Sequence, residues 1–139
     1  MRYLSLMIFG AILASTVSAA EYPDMVGLWS GDVRTVSSGE QVRNQVARGG
    51  GLIEQVKLSF SVDYQDDEVF MGTSKSNAPG AEATPVWGAI RSTGTQAVFV
   101  TSNGGRGQVW FKSATEFEYC FANQTPEAMS AHCAVLKKE

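Results

Sequence analysis

Val56-Lys57-Leu58-Ser59-Phe60-Ser61-Val62-Asp63-Tyr64 alternates apolar and polar side chains without a break. Successive side chains of a strand point to opposite faces, so this period of two predicts one buried face and one wet face. The run halts at Gln65-Asp66-Asp67, a turn composition, and Val69-Phe70-Met71 resumes it. Together they read as a hairpin. Outward from it, further strands are predicted at Met25 to Val36, Pro85 to Arg91, Ala97 to Thr101, Gln108 to Lys112, Glu116 to Ala122 and Ala131 to Lys137. Ser92-Thr93-Gly94 and Asn103-Gly104-Gly105 are hairpin-type turn signals between neighbours. This succession, with no long helical period, predicts an all-β fold: a small antiparallel eight-stranded up-and-down barrel.

Two segments break the pattern. Ser37 to Gly51 carries Val42 and Val46 at helical spacing before Gly49-Gly50-Gly51, and reads as a short helix or an ordered lid loop. Asn77 to Thr84 reads as a loop. Neither is long enough to separate two domains.

Residues 1–20, MRYLSLMIFGAILASTVSAA, have the form of a secretory leader. Arg2 is the positive start, Leu4 to Leu13 the short apolar run, and Val17-Ser18-Ala19 and Ser18-Ala19-Ala20 both fit the small-residue cleavage rule. The run is shorter than the ~20 residues that cross a bilayer. The expectation is an exported protein, periplasmic or secreted, with no membrane span and a single domain over residues 21–139. Losing Arg2 with the leader takes the formal charge from −3 to about −4. A mildly acidic domain without a basic stripe argues against a nucleic-acid partner.

Cys120 and Cys133 are the two cysteines. In an exported chain an even pair reads as a disulfide, here closing a loop of about 14 residues, worth roughly 3 kcal/mol in the chain-entropy model. With no CxxC and one histidine, the rival metal or redox reading has little support. Setting Cys120 opposite Cys133 also sets Glu116 opposite Lys137, an opposite-charge pair of the stabilising kind. On the other face Phe117 meets Leu136, Tyr119 meets Ala134 and Phe121 meets His132. A slip of one residue would reverse the faces, so this agreement predicts the register. It places the disulfide outside and His132 inside.

No catalytic residue stands out. His132, the single histidine, has no G-x-S-x-G elbow or free thiol to serve. It reads as structural or semi-exposed. Asp63, Asp66, Asp67 and Glu68 lack EF-hand spacing and its glycine, and read as a solvated hairpin tip. Ser102-Asn103-Gly104-Gly105-Arg106-Gly107 lacks the strand-to-helix context of a phosphate loop. No metal ligand set and no cofactor are predicted. Trp29, Trp87 and Trp110 each lie in a predicted strand, and aromatics both fill small barrels and line ligand pockets.

Gly27-Leu28-Trp29 at the opening of the first strand resembles the calycin group, which includes lipocalins and avidins. Met71-Gly72-Thr73-Ser74-Lys75-Ser76 is similar to the third strand of avidins. The resemblance implies that Ser76 sits where avidins bond the ureido oxygen of biotin. Ser74 replaces their tyrosine, Gly31 replaces their asparagine, and the last strand lacks their ligand-binding aspartate.

The expected function is a non-enzymatic barrel binding a small amphipathic or apolar ligand at its mouth. The expected ligand-binding residues are Trp29, Tyr64, Ser76, Trp87, Trp110 and Tyr119. The alternative is a periplasmic protein-interaction module or hydrolase inhibitor acting through Arg43, Arg48 and the Asn77–Thr84 loop. A cavity of roughly 300 Å³ or more, lined by the tryptophans, would favour the carrier.

Overall fold

A computed structural model describes residues 22–39, 52–126 and 128–139. The leader at 1–20, Arg43 and Arg48 lie outside the described residues, as does most of the Ser37–Gly51 segment. Its first residues, Ser37 to Gly39, prolong a strand rather than start a helix.

Eight strands form one closed antiparallel barrel in chain order. They are β1 (Gly27–Gly39), β2 (Leu52–Asp66), β3 (Val69–Ser76), β4 (Thr84–Ile90), β5 (Gln96–Thr101), β6 (Arg106–Ser113), β7 (Glu116–Gln124) and β8 (Ala128–Lys138). β1 pairs with β8 at Trp29 and Ser30 and again from Val36 to Gly39, which closes the barrel.

Every opposed pair predicted for the last hairpin is present. Glu116 faces Lys137, Phe117 faces Leu136, Tyr119 faces Ala134, Cys120 faces Cys133 and Phe121 faces His132. The disulfide joins Cys120 to Cys133. Lys137 Nζ lies 3.6 Å from Glu116 Oε2.

Alternation holds along β2 up to Val62 and then fails. Phe60 and Val62 are buried, and Tyr64 is exposed. A bulge between Val62 and Tyr64 inserts one residue and reverses the faces beyond it. Tyr64 turns outward, and Gln65, opposite the buried Phe70, turns in. Gln65 then ties down the N-terminal segment. Its Oε1 accepts the Met25 N–H at 2.7 Å and its Nε2 donates to the Pro23 carbonyl at 3.0 Å.

That segment closes one end of the barrel. Met25 is fully buried, and the Trp29 indole N–H donates to its carbonyl at 2.8 Å. Trp29 packs on Phe117 with ring centroids 4.8 Å apart, and the Lys138 ammonium sits 5.3 Å from the indole centroid. Val109, Leu136 and Ile90 complete this packed half.

Phenylalanine rings lie flat against inward-facing glycines of adjacent strands. A Cβ on Gly88 would sit 2.1 Å from the Phe70 ring, and one on Gly107 would sit 2.1 Å from the Phe99 ring. The glycines let bulky rings hug the wall of a narrow barrel. The axis is therefore not filled from end to end.

Candidate functional site

The end opposite Trp29 carries a cavity of about 230 Å³. Its floor is aromatic: Phe60, Phe99 and Tyr119, with Phe121 and Leu58 on the walls. Phe99 and Phe121 stack with centroids 6.0 Å apart and planes 7° apart. Its rim is polar: Ser74, Ser76, Thr84, Thr101 and Asn103, with Glu82 from the β3–β4 connection. The cause is strand alternation. Leu58 opposite Ser76 and Phe60 opposite Ser74 share the inner face, with serines toward the open end. Thr101 is buried and donates to Asn103 Oδ1 at 2.6 Å.

Tyr119 and His132 form the polar element deepest in this wall. Their Oη and Nε2 atoms share a hydrogen bond at 2.8 Å. Their rings meet edge-on, with centroids 5.4 Å apart, and His132 also packs on Phe121. Burial pushes the Tyr119 phenol well above its ordinary value, so it stays protonated. Burial pushes the His132 imidazole below its ordinary value, so the neutral form is favoured. His132 Nδ1 is buried with no hydrogen-bond partner among the described residues. The pair is a protonated phenol bonded to an imidazole whose neutral form is favoured. It offers hydrogen bonding and an aromatic surface.

The structure brings only some of the expected residues together. Ser76 and Tyr119 line the cavity. Trp29 points inward but is sealed in the closed half, 1% exposed. Tyr64 is on the outer wall because of the bulge. Trp87 is outward because Val86 and Ile90 on either side take the inner face of β4. Trp110 pairs with Glu118 on the outer face, while its neighbour Val109 is buried. No tryptophan lines the cavity, and its volume is below the size expected for a tryptophan-lined pocket.

Phe60, Phe99, Phe121, Thr101 and His132 take those places instead. Their signal was present in the chain. Ala97, Phe99 and Thr101 alternate with Val98 and Val100, and Phe121 shares a face with Tyr119 in the hairpin register. Tryptophan is the larger aromatic, but parity along the strand decides which aromatics face inward. Of the alternative's carriers, Asn77 is tied to β2, its Oδ1 accepting the Lys57 N–H at 2.9 Å. The same connection supplies Ala81 and Glu82 to the cavity rim.

No group of three or more histidine, cysteine or acidic side chains suited to a metal occurs among the described residues. No described helix is long and apolar enough to cross a membrane.

No protein-family model matches the chain. No curated protein matches it. Among solved structures it is similar to EF1p2_mFAP2b bound to DFHBI, at 9% identity and a TM-score of 0.50, over 83% of this chain and 94% of that one. Weaker likenesses are to a redesigned β-barrel, b11L5F_LGL (11% identity, TM-score 0.43, 83% and 91% covered), and to the S-type phycobiliprotein lyase CPES from Guillardia theta (10% identity, TM-score 0.37, 83% and 88% covered). At such identities the likeness to EF1p2_mFAP2b is one of fold: a small β-barrel, closed here by eight antiparallel strands.

Proposed function

We propose that this protein is an exported, non-enzymatic carrier that binds a small amphipathic molecule in the mouth of its barrel. The carrying observation is the 230 Å³ cavity with an aromatic floor and a hydroxyl-rich rim. Apolar walls with a few convergent polar groups are the usual make-up of a small-molecule site. A planar aromatic ligand bearing one polar substituent satisfies both layers. Its ring meets Phe60, Phe99 and Phe121, and its polar group meets Ser74, Ser76 or Thr101. The structurally similar EF1p2_mFAP2b is a complex with DFHBI, and the mouths of β-barrels are among the usual places for small-molecule sites. The avidin-like reading of Met71 to Ser76 implies Ser76 as a ligand contact, and the inward position of Ser76 supports it. Secretion is supported by the leader-like first 20 residues and by the disulfide. A non-enzymatic role is supported by the burial of the Tyr119 phenol, which holds it protonated and makes it a poor nucleophile.

Titration with 1-naphthol, a planar ring with one hydroxyl, tests the site. Saturable binding is expected. Ser76→Trp should place an indole in the mouth and weaken binding at least tenfold with an unchanged circular dichroism spectrum. Naphthol affinity untouched by Ser76→Trp, or no saturable binding of it or related aryl alcohols, removes the carrier reading.

A further inference from the structure

The outer wall of the barrel carries a feature that the mouth does not use. Tyr64, Val69, Met71, Trp87, Val98 and Val100 are each between 45% and 51% exposed. They are neighbours in register. Tyr64 lies beside Met71, Met71 beside Trp87, and Trp87 beside Val100. In the next row Val69 lies beside Ala89, and Ala89 beside Val98. Every outward-facing side chain of β4 and β5, and of β3 short of Lys75, is uncharged. Tryptophan, tyrosine and methionine on a charge-free patch are the composition of an interface core.

Its extent suits a dimer. The half-exposed aromatics present roughly 100 Å² each and the aliphatics somewhat less, about 500 Å² for these six. The exposed Pro85 and the half-buried Thr73 and Ala89 widen the wall, which stays below the ~800 Å² that each partner contributes to a standard interface and suits a small, micromolar one. A monomer's largest apolar patch is usually ~300–600 Å².

The charges at its two ends select the partner. On β3 the acidic turn Asp66-Asp67-Glu68 lies below the Met71 row and Lys75 lies above it. Flanking β4 the order is reversed: Arg91, whose guanidinium also donates to Gln96 Oε1 at 2.9 Å, follows the strand below Trp87, and Glu82, at the edge of the mouth, precedes it above. Each sits three to five residues from the central row, or on the order of 10–17 Å. A two-fold axis running across the strands through Trp87 superposes the lower end of one copy on the upper end of the other. It therefore sets Lys75 against the acidic turn and Arg91 against Glu82, in both copies at once. Arg106, beside Val100 on β6, ends this row and bounds the uncharged wall on that side. We propose that this wall is a self-complementary interface and that its occupant is a second copy of this chain, bound as an isologous dimer.

Sedimentation equilibrium of protein expressed from the full sequence tests this. Twice the chain mass is expected at micromolar concentration. Trp87→Asp should raise the dissociation constant at least tenfold with an unchanged circular dichroism spectrum. Val100→Lys is the second variant, should Trp87→Asp fail to fold. Arg91→Glu should weaken the dimer, and Arg91→Glu with Glu82→Arg should restore it, since the pair is only exchanged. A monomer at 100 μM, a dimer indifferent to Trp87→Asp and Val100→Lys, or no rescue in the double variant overturns the proposal. So does a monomer that floats with phosphatidylcholine vesicles, which would put a bilayer on this wall instead.

Discussion

His132 shows what one inward position costs and what it provides. Its imidazole is held among Tyr119, Phe121 and the barrel wall, with Nε2 bonded and Nδ1 unpartnered among the described residues. Desolvation lowers its proton affinity in the folded state. The unfolded chain, with an ordinary imidazole near pH 6.5, then binds more protons than the native one below that pH. The contribution is fully present above about pH 6.5 and is lost as pH falls toward the folded value. Urea midpoints for the wild type should therefore drop between pH 7.5 and 5.5, and His132→Gln should flatten that drop. Equal drops in the two proteins would show that His132 is not desolvated. Asp24 acts in a separate window. Its hydrogen bond with Lys138 lowers its carboxyl, so its share is lost only under more acidic conditions, below about pH 4.

At the scale of the element, the β7–β8 hairpin and the β2 bulge stand at opposite ends of legibility. The hairpin was readable because three local signals, a cysteine pair, a charge pair and an apolar face, agree on one register. Losing the crosslink should leave that ladder in place while loosening the unfolded chain. Cys120→Ala with Cys133→Ala should cost about 2–5 kcal/mol in denaturant unfolding, with a strand-rich spectrum retained. A loss of strand signal would instead make the crosslink a condition of folding. The bulge was not readable. Tyr64 continues the apolar alternation of Val56 to Val62 without any local break. What diverts it is Gln65, whose amide reaches Met25 and Pro23 some 40 residues away in sequence.

Across the whole molecule the barrel is asymmetric, with one end plugged by Met25 and Trp29 and the other open above Phe60 and Phe99. Changes at the two ends should have opposite signatures. Trp29→Ala removes the largest side chain of the sealed half and should cost about 3–5 kcal/mol of stability. Ser76→Ala, at the rim, should stay within about 1 kcal/mol of wild type while changing naphthol affinity. Thermal and urea unfolding of the two variants checks this. Comparable destabilisation by both would mean that the mouth is as tightly packed as the floor. Indole fluorescence should respond weakly to a mouth ligand, since no tryptophan lines the cavity.

Strand count, antiparallel order, the disulfide and the last hairpin's register were determined by the sequence alone, because each rests on neighbours or on opposed positions joined by a short turn. Which aromatics meet inside was decided by the tertiary structure. Closing the barrel gives every side chain an inner or outer address, and one inserted residue at Val62–Tyr64 reassigns it. Trp87 and Trp110 went outward by parity, and Trp29 was sealed by a segment folded back beneath it. Phe60, Phe99 and Phe121, from β2, β5 and β7, became one cavity only when the barrel closed.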